Sequence, residues 1–319
     1  MIKIVVLDGN TLNPGDLDCS AFGDYGQVTW YDITMPEDIA TRIGDAQIVI
    51  TNKTPLHRKD LEKCKNVRYI GLLSTGYNII DLEYTNKNGI VVSNVPDYST
   101  NAVAQHTFAL ILQFYNMVTE HCGKVFDGQW AKSPNFCLYS TDLHELMGKT
   151  IGIIGFGSIG KKVAKLATAF DMNVLVNTRT VDKSYETENL RFVSKEELFA
   201  QSDIVTVHCP LFPQTEKMVN EKMLSLMKKS AILINTSRGG LVDEAALKNA
   251  LNSGKIAGAA LDVVSVEPIK KDNPLLEAKN CVITPHIAWA ARETRQRLFG
   301  IVIQNLKAFL DGKPQNVVR

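Results

Sequence analysis

Three ionisable side chains stand just past three short apolar runs in the second half of this chain. Arg238 follows AILINTS, Glu267 follows AGAALDVVSV and His286 follows CVITP. A guanidinium can hold a carboxylate in a forked pair and polarise a neighbouring carbonyl. An imidazole can pass a proton near neutral pH, and a carboxylate beside it orients it and favours its charged form. Converging on a nicotinamide, the three would move a hydride and a proton together. Each also has a plain structural reading, because strand-end Arg and Glu often form surface ion pairs and a single His often just packs. His57, His106, His121, His144 and His208 show no ligand spacing and read as structural, so no metal site is expected. A G-x-S-x-G elbow and an H-E-x-x-H helix are both missing, which leaves hydrolase chemistry without a nucleophile or a metal.

A place for a nicotinamide comes from Thr150-IGIIGFGSIGKKVAKLATAF. An apolar run leads into Gly155-x-Gly157-x-x-Gly160, and Ile159, Val163, Leu166 and Phe170 then recur at helical spacing. Strand, glycine loop and helix together are what dinucleotide binding requires. Gly155 permits a tight turn, Gly157 lets backbone approach a pyrophosphate, and Gly160 lets helix pack on strand. The helix N-terminus offers amides and partial positive charge to the phosphates. The competing P-loop reading fails because Lys162 stands where magnesium needs Ser or Thr. The next strand, Asn173-VLVN, ends in Asn177, Thr178, Arg179 and Thr180, where NAD-specific sites usually carry Asp or Glu for the ribose. Arg179 can instead meet a 2′-phosphate, so NAD(H) and NADP(H) both stay open.

The elements that must position these groups alternate strand and helix nearly throughout, which predicts parallel α/β sheets. IKIVVLDG, QVTWYD, AQIVIT, VRYIGLLS and GIVVSNVP form a first series. TIGIIGFG, NVLVNTRT, DIVTVHCP, AILINTSRG, IAGAALDVV and CVITPHIA form a second, separated by the irregular stretch 128–149. From Ala290 onward the chain reads as one amphipathic helix and a tail. Residues 98–119 hold no Asp, Glu, Lys or Arg and are long enough to cross a bilayer. Asn101, Gln105, His106, Gln113 and Asn116 interrupt them, however, and each is costly in hydrocarbon without a partner. That predicts a helix buried in protein, at a subunit contact, and no membrane partner. The 319 residues are 45% hydrophobic with a net charge of +1, ordinary for a folded protein of two domains and no case for nucleic acid. Six scattered cysteines without a C-x-x-C pair, and a start lacking a basic leader region, predict a cytoplasmic protein.

GFGSIGKKVAKLATAF, VHCPLFPQTEKMVN, INTSRGGLVDEAAL, AALDVVSVEP and TPHIAWAARETRQRL together resemble the D-isomer-specific 2-hydroxyacid dehydrogenases over essentially the full length. The resemblance implies Arg238, Glu267 and His286 as the catalytic trio and Asp262 as the partner of the nicotinamide carboxamide. It implies cofactor contacts at Val103, Ser158, Ile159, Cys209, Pro210, Thr215 and Thr236. The early block LLSTGYNIIDL resembles the family's substrate loop, so Ser74 and the amides of Thr75 and Gly76 are implied to bind a substrate carboxylate. Asn78 stands where many members have Asp, and Thr178 replaces the usual ribose carboxylate.

Within the family, VAQHTFALIL, GQWAKSPNF and HIAWAARETRQRL are most similar to the glycerate dehydrogenase (hydroxypyruvate reductase) branch. Glu267 disfavours the formate dehydrogenases, which carry Gln there. The short stretch after His286 leaves no room for the regulatory domain of many phosphoglycerate dehydrogenases. The implied fold is a doubly wound Rossmann cofactor domain over residues 100–289 and a flavodoxin-like, discontinuous substrate domain over 1–99 and 290–319. The two are implied to close over a cleft, and a homodimer is implied through the cofactor domains. The implied reaction is reversible hydride transfer between NAD(P) and C2 of a small 2-hydroxy or 2-keto acid. The alternatives are a broader 2-ketoacid reductase acting on glyoxylate or phenylpyruvate, and a nucleotide-sensing binding module like the related corepressors.

Overall fold

The computed structural model describes residues 1–139 and 143–319. Residues 140–142, within the stretch expected to be irregular, lie outside the described residues. The chain divides into two compact units, Met1–Ser99 with Trp289–Arg319, and Thr100–Ala288. Trp289, counted with the second unit on sequence, packs its ring edge-on to Tyr98 at 6.4 Å in the first.

The first unit is a sheet of β1 (Lys3–Val6), β2 (Gln27–Trp30), β3 (Ile48–Thr51), β4 (Tyr69–Leu72) and β5 (Val91–Ser93). All pairings are parallel, in the order β2-β1-β3-β4-β5, which is the flavodoxin-like winding. Alternation decides which side chain faces which layer. Val5, Val49 and Ile70 pack with the helices Ile39–Ile43 and Arg58–Leu61. Ile4, Ile48 and Tyr69 face the C-terminal helix Arg292–Leu310 through Leu298, Val302 and Leu306. Tyr69 also stacks on Phe309 at 4.7 Å. The end of the chain is thus needed to cover a sheet built from its beginning, and burying that face in water's absence is what makes the unit discontinuous.

The second unit contains β6 (Thr150–Ile154), β7 (Asn173–Asn177), β8 (Leu190–Phe192), β9 (Ile204–Val207), β10 (Ile232–Asn235), β11 (Gly258–Leu261) and β12 (Cys281–Ile283). They pair in parallel in the order β12-β11-β10-β9-β6-β7-β8. The order reverses between β6 and β9, and open sheets of this winding bind ligands at that switch, beyond the strands' carboxyl ends. β8 was not anticipated: a three-residue edge strand is too short to show alternation.

The apolar segment folds as the helix Thr100–Asn116, with Val103, Ala104, Thr107, Phe108, Leu110, Ile111 and Tyr115 buried. It packs into the same core as Ile151, Ile153, Val163 and Ala167. The buried face of this helix is therefore accounted for inside its own unit. Among the described residues no helix is long and apolar enough to cross a membrane. The neighbouring helix Val118–Phe126 is different, because none of its residues is buried. It leads into a run of exposed apolar side chains that includes Phe126, Trp130, Phe136, Tyr139 and Met147.

Candidate functional site

β10, β11 and β12 are adjacent and parallel, so the loops that follow them leave from one edge. Those loops carry Arg238, Glu267 and His286, and all three lie in the second unit. The loop after β10 is tied down by Asn235, whose side chain donates to the Arg238 carbonyl at 2.9 Å and accepts from Ser237 N at 3.0 Å. A Cβ on Gly239 would lie 1.9 Å from the Val264 carbonyl carbon, so only glycine lets this loop abut the segment leading to Glu267. Arg238 itself is exposed, with Nη1 on its neighbour's Ser237 carbonyl at 2.8 Å.

Glu267 Oε2 and His286 Nδ1 are 2.7 Å apart, the distance of a charge-assisted hydrogen bond. Glu267 Oε1 accepts from Val264 N at 3.3 Å, which aims the carboxylate. With Nδ1 taken, Nε2 is the nitrogen of His286 available for proton transfer. His286 has φ 55°, a left-handed conformation unusual for any residue but glycine. Asp262 holds it there. Its backbone carbonyl accepts from His286 N at 2.8 Å. Its carboxylate accepts from Ile287 N at 2.9 Å, Ala288 N at 2.8 Å and the Thr284 hydroxyl at 2.6 Å. Burial alone would push the Asp262 carboxyl upward, but the hydrogen bonds from His106, Thr284 and the two amides outweigh it and hold the group below its usual range. At 1% exposure, this carboxylate braces the His286 loop.

The glycine loop fits a dinucleotide. Gly155 has φ 92°, and a Cβ there would come within 2.7 Å of the His208 carbonyl carbon. A Cβ on Gly160 would lie 2.1 Å from the Gly155 oxygen, whereas at Gly157 nothing stands within 4 Å. The turn, the close helix packing and the open approach fall at the three expected glycines. Gly157 caps the helix Ser158–Ala169, whose first amides, at Ser158 and Ile159, have no helical acceptor. Beyond β7, Thr178 is half-buried, and Arg179 is exposed with no ion-pair partner among the described residues. Thr215 Oγ1 accepts from Phe212 N at 2.8 Å and reaches the Pro210 carbonyl at 2.9 Å, shaping the loop after β9. Cys209 faces Met218, and burial raises its thiol to about 11, so it lines this loop as an uncharged group. Val103 and Thr236 are buried, the latter beside Thr107.

Ser74, Thr75 and Gly76 lie in the first unit, just past β4. Their polar groups are used unevenly. Ser74 Oγ donates to the Gly76 carbonyl at 2.7 Å, Thr75 Oγ1 donates to Val95 O at 2.6 Å, and Asn94 donates to the Thr75 carbonyl at 2.7 Å. The amides of Thr75 and Gly76 have no acceptor among the described residues, the state expected of an anion-binding loop. His106, read from the sequence as structural, places Nε2 3.1 Å from Thr284 Oγ1 and 3.4 Å from Asp262. The signal was present, since a polar side chain inside an apolar helix needs a partner.

Residues 108–288 match the family described as "D-isomer specific 2-hydroxyacid dehydrogenase, NAD binding domain". The chain is 49% identical to a hydroxypyruvate reductase of Blautia hydrogenotrophica, over 99% of each protein. It is 39% identical to a glycerate dehydrogenase of Methylorubrum extorquens, over 99% of this chain and 98% of that one. Among solved structures, an acyclic imino acid reductase in complex with NADPH and D-Arg superposes with a TM-score of 0.86, at 33% identity and full coverage of both chains. With the glycine loop, the strand-end trio and both sheet windings in agreement, the chain belongs to the D-isomer-specific 2-hydroxyacid dehydrogenases, NAD(P)-dependent oxidoreductases acting on a CH–OH group.

Proposed function

We propose that the protein interconverts hydroxypyruvate and D-glycerate, with His286 as acid and base. The observation that carries this is the 2.7 Å bond between Glu267 Oε2 and His286 Nδ1, which leaves Nε2 to exchange a proton on the edge that also presents Arg238. In the reductive direction His286 holds a proton at Nε2 and delivers it to the carbonyl oxygen, which becomes the hydroxyl. Glu267 balances the charge His286 carries before transfer. Arg238 pairs with the substrate carboxylate and polarises the carbonyl oxygen, and the amides of Thr75 and Gly76 are suited to receive a carboxylate. The bound nicotinamide supplies the hydride that reaches C2. Ser158, Ile159 and the glycine loop hold its pyrophosphate. Thr178 and Arg179, with no carboxylate to repel a 2′-phosphate, favour acceptance of NADPH beside NADH.

The exposed apolar side chains of Phe126, Trp130, Phe136, Tyr139 and Met147 support a homodimer through the cofactor-binding unit, and the scattered cysteines without a C-x-x-C pair support a cytoplasmic location. Steady-state kinetics with hydroxypyruvate, glyoxylate, pyruvate and phenylpyruvate, each with NADH and NADPH, tests the reading. Hydroxypyruvate should give the highest kcat/KM. A higher value for another ketoacid would replace the substrate, and no turnover of any would leave a nucleotide-sensing module.

A further inference from the structure

His106 and Thr107 are consecutive on the helix Thr100–Asn116, and their side chains reach two different loops of the site. Successive helical residues point about 100° apart, so one turn can address two targets. His106 Nε2 is 3.1 Å from Thr284 Oγ1. Thr284 already donates its hydroxyl hydrogen to Asp262 Oδ1 at 2.6 Å, so the hydrogen in the contact with His106 must come from the imidazole. The same nitrogen lies 3.4 Å from Asp262 Oδ1. Thr107 Oγ1 donates to the Val103 carbonyl at 2.9 Å and lies 3.1 Å from Thr236 Oγ1, so Thr236 is the donor there. Thr236 stands two residues before Arg238, and the Asp262 carboxylate holds the amides of Ile287 and Ala288, next to His286.

We infer that His106 and Thr107 are positioning residues for the reaction, a two-pronged brace in which His106 fixes the His286 loop through Thr284 and Asp262, and Thr107 fixes the Arg238 loop through Thr236. The inference rests on the roles proposed above for His286 and Arg238. Both loops start at strand ends, and one holds its key residue at φ 55°, so each relaxes unless something rigid opposes it. The helix is rigid: Ala104, Thr107 and Ile111 are fully buried in the core beneath it. A displacement near 1 Å at a reacting group can cost about a hundredfold in rate. The two prongs should also be separable. Loosening His286 lowers kcat, whereas loosening Arg238 weakens the hold on the substrate carboxylate and raises KM.

Four variants and two readouts decide it. His106→Leu keeps the volume and removes the donor, and His106→Gln places an amide N–H near the position of Nε2. Thr107→Val removes the hydroxyl, and Thr107→Ser retains it. We expect His106→Leu to lower kcat at least about tenfold with KM within about threefold, and Gln to recover most of the loss. Thr107→Val should raise KM about tenfold with a smaller change in kcat, and Ser should restore it. Hydrogen exchange followed by mass spectrometry supplies a readout independent of turnover. His106→Leu should speed exchange across 284–288 about tenfold and leave 236–240 alone, and Thr107→Val should do the reverse. Wild-type kinetics and protection in His106→Leu would overturn the inference, as would Gln performing no better than Leu or protection falling evenly over the whole unit. If the wild-type enzyme turned over no ketoacid, the proposed function would fail while the exchange data still settled the brace.

Discussion

Two buried carboxylates, one in each unit, make the same kind of hydrogen-bond set and serve different ends. Asp8 follows β1, and its side chain accepts from the Thr51 hydroxyl at 3.1 Å and from the amides of Asn52, Lys53 and Thr54 after β3. Asp262 follows β11, and accepts from the Thr284 hydroxyl and the amides of Ile287 and Ala288 after β12. In both cases the carboxylate sits at one strand end and gathers the loop that leaves the adjacent parallel strand. The difference lies in what the gathered loop contains. None of the three residues whose amides Asp8 gathers is left-handed. The Asp262 loop forces His286 to φ 55° and points its ring at Glu267. A strand-end carboxylate is thus a general way to fix a loop, and it becomes part of a catalytic apparatus only through the residue it fixes.

The comparison is broken or upheld most directly by Asp262→Asn against Asp8→Asn. Each replaces an acceptor with an amide that cannot accept from all the same donors, and a buried N–H left unpaired costs about 1–3 kcal/mol. Similar losses of stability are expected from urea unfolding. Activity should separate them, with kcat falling about a hundredfold in Asp262→Asn and staying within about threefold in Asp8→Asn. Any kinetic effect of Asp8→Asn should fall on KM, because Leu73 N donates to Thr51 O beside the loop proposed to receive the substrate carboxylate. Equal kcat losses in the two variants would show that both loops mount reacting groups.

The same contrast shows what the sequence could and could not convey. Short apolar β-rich runs such as IKIVVLDG located the strands, and the glycine spacing located the turn that a dinucleotide needs, because both are short-range consequences of backbone geometry. The polarity of Arg238, Glu267 and His286 after apolar runs placed them at one edge of a parallel sheet. Asp262 was visible as a residue, but its work depends on amides some twenty-five positions later, which no local pattern reveals. His106 had a legible need for a partner and no legible partner. The long apolar helix was legible as buried, but which core it packs into is a tertiary fact that periodicity alone does not carry.

A smaller effect is expected from removing charge while keeping shape. Glu267→Gln can still bond His286 Nδ1, but it no longer offsets a positive imidazole. In the proposed reaction, ketoacid reduction begins with His286 protonated and hydroxyacid oxidation begins with it neutral. At neutral pH we therefore expect reduction to fall about tenfold or more and oxidation to fall less, measured as kcat/KM in both directions with one cofactor. Equal losses would mean that Glu267 only orients the ring, which would make it a closer analogue of Asp8 than of a charge-balancing group.

The smallest effect concerns a third strand end, where a titratable group has no carboxylate to gather it. His208 follows β9, bonds Thr206 Oγ1 through Nε2 at 2.6 Å, and has a buried Nδ1 with no partner among the described residues. Burial pushes its pKa down from 6.5 to about 3, so the folded protein holds it neutral while the unfolded chain protonates it in mild acid. Its contribution to stability is then complete above about pH 6.5 and is lost progressively as pH falls toward about 3. Other groups also titrate over this range, so the comparison needs His208→Gln, which can bond Thr206 and carries no titratable ring. Between about pH 6.5 and about pH 4.5 the wild type should lose stability more steeply than the variant. The excess slope should not exceed about 1.4 kcal/mol per pH unit, the limit for one proton. Urea unfolding at several pH values measures both slopes. Parallel curves would show that His208 takes up its proton without opening the fold, and would place this strand end, unlike those of Asp8 and Asp262, outside the set that depends on a fixed charge state.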